Sequence, residues 1–139
     1  AEHVAAAPCF GASARGVLDA AALIGAQRKL VVVISDFRLP SSLLKEMFDA
    51  LAAHDVTPIM LADSQEEALP EWGLSEIADL EDGRRRLVVM RPALRRRWRE
   101  QEAARRAALS RLSRRHGREL FIVTDRIDAP RLTRHLMAA

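Results

Sequence analysis

The chain has 139 residues, 49% of them hydrophobic but only 4% aromatic, with no Tyr and one cysteine, Cys9. That length suits one domain with a real core of Leu, Val, Ile and Ala, and a single cysteine excludes an internal disulfide or a cysteine-built zinc site. The net charge of +3 hides a segregation: residues 1–83 carry 5 basic and 14 acidic side chains, whereas 84–118 carry 14 arginines against 2 glutamates. An acidic part and an arginine-rich part on one chain favour association of opposite surfaces or an acidic partner. No apolar run reaches the roughly 18–20 residues of a membrane span. Ala1 to Phe10 has no basic flank and no long apolar stretch, so a signal peptide is not expected and a cytoplasmic location is.

Residues 1–14, with Pro8 and Gly11, read as an irregular lead-in. From Val17 to Gln27, Val17, Leu18, Ala21, Leu23 and Ile24 recur at near-helical spacing, which predicts a helix. Leu30 to Ile34 is an unbroken, β-branched apolar run, the pattern of a central parallel strand covered on both faces, and it ends in Ser35-Asp36. Pro40-Ser41-Ser42 opens a helix with a serine available as cap, and Leu43, Leu44, Met47, Phe48 and Leu51 form its stripe. Val56 to Leu61 is the next strand, followed by Asp63. Residues 64–73 form a polar connection. Leu74 to Leu80 and Arg85 to Met90 then flank Asp82-Gly83, a hairpin signal that requires positive φ at Gly83.

Pro92 starts a long helix reaching about His116, with Gly117 as its stop and Leu94, Trp98, Gln101, Ala108 and Leu112 as its inner stripe. Leu120 to Val123 is a third parallel strand, ending in Thr124-Asp125. Asp128 caps a last helix, 129–138, with Leu132, Leu136 and Met137 inward. The alternation predicts a three-layer α/β sheet with right-handed crossovers. Ligand sites in such sheets lie beyond the carboxyl ends of the strands, where Asp36, Asp63 and Asp125 fall.

Val33-Ile34-Ser35-Asp36-Phe37 resembles the von Willebrand factor A fold, in which a buried strand ends in Ser/Thr-Asp and the Asp belongs to a metal-ion-dependent adhesion site. Val56 to Asp63, Glu66-Glu67-Ala68-Leu69-Pro70, Gly73-Leu74 and Asp79 to Arg86 follow in the order typical of one bacterial von Willebrand A-like family, labelled domain of unknown function fifty-eight. The resemblance covers about residues 15–137. It implies a Rossmann-like parallel sheet with an inserted β-hairpin, genes beside MoxR-type AAA+ ATPases, and a role in protein–protein contact during assembly or remodelling of other proteins. The chain has no Asp-x-Ser-x-Ser loop. The resemblance therefore implies that the first half of the fold is missing and that 15–139 is its C-terminal part. It leaves Asp36 as one ligand of an incomplete metal site, with Mg²⁺ expected only in an intact domain.

Each candidate also has a plain structural role. Asp36 serves equally as a loop carboxylate beside Arg38, and Asp125 as a helix-capping acid rather than a second ligand of a shared cation. Trp72 lies in a polar connection, where it either folds back on the hairpin or stands exposed as an anchor for a partner. With Arg95, Arg96, Arg99 and Arg106 it forms the expected partner-binding set. The alternative is a basic nucleic-acid-binding module using the helix 91–118, but stacking aromatics are nearly absent there. His3, His54, His116 and His135 are scattered without metal spacing, Cys9 has no nearby His, and no nucleophile elbow or phosphate loop occurs, so an enzyme is not expected. If the strand 30–34 lacks neighbours, its open edge predicts a homodimer.

Overall fold

Two separate sheets organise the computed structural model, which describes residues 16–64, 68, 70–78 and 84–138. The lead-in 1–14 and the Asp82-Gly83 turn, with the positive φ expected at Gly83, lie outside the described residues. In chain order the elements are α1 (Gly16–Leu23), β1 (Leu30–Ser35), α2 (Ser41–Ala50), β2 (Asp55–Ala62), β3 (Gly73–Ala78), β4 (Arg85–Met90), α3 (Pro92–Arg115), β5 (Phe121–Thr124) and α4 (Ala129–Met137). β1, β2 and β5 form a parallel sheet in the order β1-β2-β5, while β3 and β4 pair antiparallel in a hairpin of their own. The chain thus has the expected Rossmann-like α/β fold class with an inserted hairpin.

β2 is the central strand. Its residues 56 to 60 are all buried, as an apolar run covered on both faces must be. Pro58 is tolerated there because its missing N–H falls on the β5 side, one residue before β5 begins to pair at Ile59↔Phe121. One sheet face packs Val56 and Met60 against Phe37, Leu44, Met47, Phe48, Leu51 and Leu109 from the α2 and α3 side. The opposite face packs Ile59, Phe121 and Val123 under Leu132 of α4. There the Arg131 guanidinium lies 5.0 Å from the Phe121 ring centre, and the His135 ring is also 5.0 Å away.

Five expectations are corrected. Among the described residues β1 pairs with β2 alone and is not covered on both faces as expected: Leu30, Val32 and Ile34 alternate outward and remain exposed, while Val31 and Val33 pack on the core. No serine caps α2. Pro40 takes that position, its carbonyl accepting from the Leu44 N–H at 3.0 Å, so both serines fall inside the helix. α1 ends at Leu23 rather than at 27, because Gly25 turns the chain at φ +79°.

The buried positions of α3 are Leu109 and Ser113, flanked by half-buried Glu102, Arg105 and Leu112, and Gln101 and Ala108 face solvent. Polar groups occupy this inner face because they bond locally: Ser113 Oγ donates to the Arg118 carbonyl at 2.6 Å, and Glu102 accepts from Arg105. Leu94, Trp98 and Leu112 of the expected stripe are half-buried, and only its middle, Gln101 and Ala108, gives way to Glu102, Arg105 and Leu109. Finally, Met137, the last residue of α4, is exposed, while Leu132 and Leu136 are half-buried. The stop at Gly117 (φ +83°) and the Asp128 cap, accepting from Arg131 N–H at 3.0 Å, are as expected.

Candidate functional site

The carboxyl edge of the sheet does not gather its three acids into one cluster. After β1 the chain turns sharply: Phe37 has φ +52° and is fully buried, and its N–H donates to Ser35 Oγ at 3.0 Å. Asp36 Oδ1 accepts from the Arg38 N–H at 3.1 Å, and its carboxylate stands 3.9 Å from Arg38 Nε. Asp125, also in the left-handed region at φ +58°, accepts from the Ser64 N–H at 2.9 Å. That backbone hydrogen bond, helped by the Ser64 hydroxyl, holds its carboxyl below the usual aspartate range. Asp36 follows β1 and Asp125 follows β5, on opposite sides of β2. Among the described residues no group of three His, Cys, Asp or Glu side chains converges on a possible metal position.

Part of the arginine-rich segment is bound to the chain's own oxygens. Glu102 receives Arg105 through both carboxylate oxygens and also Arg106, and the Arg105 hydrogen bond holds its carboxyl below the usual range. Arg118 and Arg28 flank Asp55, and Arg28 makes two bonds of 3.1 and 2.8 Å that lower the Asp55 carboxyl. Arg85 lies 3.5 Å from Glu76, and Arg96 lies 3.9 Å from Glu100. Arg106 is therefore half-buried on Glu102 and does not join the other partner-binding candidates.

Arg95, Arg96 and Arg99 do come together with the connection that carries Trp72. Arg95 Nη1 donates to Glu71 at 2.8 Å, which clamps the chain entering β3 onto the first turns of α3. Glu71, Pro92, Arg95, Arg96, Arg99 and Glu100 line a groove of about 270 Å³. Trp72, next to the clamp, is 68% exposed, the second of its two expected placements.

The hairpin follows Trp72 directly in the chain. Leu74 pairs with Val89 and Glu76 with Leu87, so side-chain alternation puts Leu74, Glu76, Leu87 and Val89 on one face. Leu74, Leu87 and Val89 are all exposed, whereas Met90, on the other face, is fully buried. The apolar hairpin face was missed in the sequence. Its signal was the period-2 alternation of 74–76 and 87–89, which gives the shared face but not the side that meets the core.

An α/β domain with an arginine-lined groove and an exposed apolar hairpin face is the class these features define. Residues 3–108 match the profile of the family described as "Protein of unknown function DUF58", and the chain belongs to that family. The match includes the Ser-Asp-Phe turn, the hairpin, Trp72 and all four candidate arginines. The chain is also similar to an "Uncharacterized protein in moxR 3'region" of Paracoccus denitrificans, 41% identical over 96 residues that span 66% of this chain and 88% of the relative. No solved structure matches the chain. Among the described residues no helix is long and apolar enough to cross a membrane.

Proposed function

We propose that this chain is a non-enzymatic protein-interaction domain acting with a MoxR-type AAA+ ATPase in the assembly or remodelling of other proteins. The observation that carries the reading is that Trp72 is exposed and lies in the chain between Glu71 of the arginine groove and Leu74 of the exposed hairpin face. Tryptophan and arginine are the side chains most often found as binding anchors, and an uncovered apolar patch rimmed by charge is typical of a docking surface. The family membership and the moxR-region relative support the choice of partner. Trp72 supplies the anchor, Leu74, Leu87 and Val89 the apolar contact, and Arg96 and Arg99 the charge that selects an acidic surface.

The test is calorimetric titration of the chain with the MoxR-type ATPase of the organism that encodes it. Binding that Trp72→Ala weakens tenfold or more, and that Arg96→Glu with Arg99→Glu abolishes, supports the reading. Binding to duplex DNA of any sequence, falling steeply with salt, in place of binding to the ATPase, would favour the nucleic-acid module instead.

A further inference from the structure

The arginine groove keeps an unbalanced charge. Three arginines, Arg95, Arg96 and Arg99, share it with two glutamates, Glu71 and Glu100. Glu100 stands 3.9 Å from Arg96, and both side chains are exposed. Arg99 makes no hydrogen bond or ion pair with another described residue. Arg91 and Arg97 add to the field from the same end of α3, where the first turn holds no acid and no side chain caps the helix. The free amides at this end of a 24-residue helix are positive as well. The sum is a positive groove short of one anion.

Arg95 is the least exposed of the three. Its side chain is 21% accessible, whereas that of Glu71, its partner, is 75% accessible. A guanidinium shielded from water needs an anion beside it. Glu71 meets that need thinly, through one bond of 2.8 Å from Nη1, while Arg95 Nε is buried without a partner. A guanidinium carries five N–H donors and holds a carboxylate best through two parallel bonds. Glu71 is therefore a singly bonded occupant that faces water and is open to exchange. Arg95 and Arg99 are four residues apart on one helix face and both line the groove, so an incoming carboxylate meets two guanidinium groups where Glu71 bonds to one. The volume of about 270 Å³ falls below the roughly 300–1,000 Å³ of small-molecule sites, and it suits a single acidic side chain.

We propose that the groove receives a glutamate or aspartate side chain of a protein partner, held by Arg95 and Arg99, and that Glu71 is a built-in competitor which this carboxylate displaces. The inference rests on the protein-interaction reading, though not on the partner being an ATPase. Glu71 thus opposes binding although it lies among the docking residues. Trp72 is the next residue in the chain, so exchange at Arg95 loosens the segment that presents the indole.

Fluorescence anisotropy of a labelled hexaglutamate peptide, titrated with the full chain and no ATPase, tests it. Saturable binding is expected, and hexaglutamine should not bind. Arg99→Gln, at an exposed position, weakens binding about tenfold, the loss of one charge-assisted pair. Glu71→Gln tightens it about threefold or more, the reverse of what losing a merely structural clamp would do. Arg114→Gln with Arg115→Gln, exposed at the far end of α3, leaves it unchanged. Each variant keeps the circular dichroism spectrum of the parent. No binding overturns the proposal, as does binding that depends on Arg114 and Arg115 in place of Arg99. A Glu71→Gln variant that binds more weakly than the parent, or equally, also overturns it. A MoxR-type ATPase that fails to bind the chain leaves the peptide result intact, so the two readings fail separately.

Discussion

Arg105 of α3 donates a hydrogen bond of 2.9 Å to the main-chain carbonyl of Asp36, at the turn that ends β1. The same guanidinium binds both oxygens of Glu102. One side chain thereby ties the arginine-rich helix to the carboxyl edge of the sheet. In this respect part of the arginine excess of 84–118 is structural.

Arg105→Ala should destabilise the fold by about 1.5–3 kcal/mol, the range for losing hydrogen bonds to a charged group that is largely shielded from water. Arg105→Lys should not rescue it, because an ammonium cannot span both the Glu102 carboxylate and the Asp36 carbonyl as the planar fork does. Urea denaturation checks this. An unchanged midpoint in Arg105→Ala would show that the tie contributes nothing.

Phe37 combines full burial with a left-handed backbone. Phe37→Ala should cost about 3–5 kcal/mol, the usual loss for a buried aromatic. Phe37→Gly should cost about 1 kcal/mol less than Phe37→Ala, because glycine adopts φ +52° without the Cβ penalty. Denaturation of both variants shows the order. Alanine more stable than glycine would mean that the turn relaxes once the ring is gone.

Gly117 closes α3 at φ +83°, and a Cβ there would meet no atom within 4 Å. Gly117→Ala should therefore carry only the backbone penalty, about 1–2 kcal/mol, with no steric addition. The comparison is thermal melting of the two proteins, and a variant as stable as the parent would contradict this account of the helix stop.

Stability should also fall in acid. The carboxyls of Glu102, Asp55 and Asp125 are held below their ordinary values by hydrogen bonds from Arg105, Arg28 and Ser64 respectively. A carboxyl lowered in the folded state binds fewer protons there than when unfolded. Its contribution is full above the unfolded value, near pH 4, and is lost as pH falls through the folded one. Urea midpoints measured from pH 6 to pH 3 should decline, and Glu102→Gln should be less stable at pH 6 with a shallower decline. An identical slope in the variant would remove Glu102 from the explanation.

Much of this fold was legible because its signals are local. The runs 56–61 and 120–123 declared β2 and β5, Asp128 declared the cap of α4, and Gly117 the end of α3. What the sequence did not carry is set between elements. Leu30 to Ile34 is apolar at every position, so its pattern is silent on whether a neighbour covers the second face, and among the described residues Leu30, Val32 and Ile34 stay exposed there. The inner face of α3 is partly polar, and its Glu102–Arg105 and Ser113–Arg118 bonds have no hydrophobic signature. The candidate surface was half legible. Trp72 and the arginines stand out by type, but the Glu71–Arg95 clamp that joins them links residues 24 apart.

The central claim is that Trp72 anchors a protein partner, and its own fluorescence reports this most directly. Trp72 and Trp98 are the only tryptophans, so in a Trp98→Phe variant the emission comes from Trp72 alone. Titration with the MoxR-type ATPase should give a saturable blue shift as the exposed indole leaves water, and Arg96→Glu with Arg99→Glu should abolish it. An emission maximum that stays at the solvent-exposed position through saturating ATPase would contradict the claim.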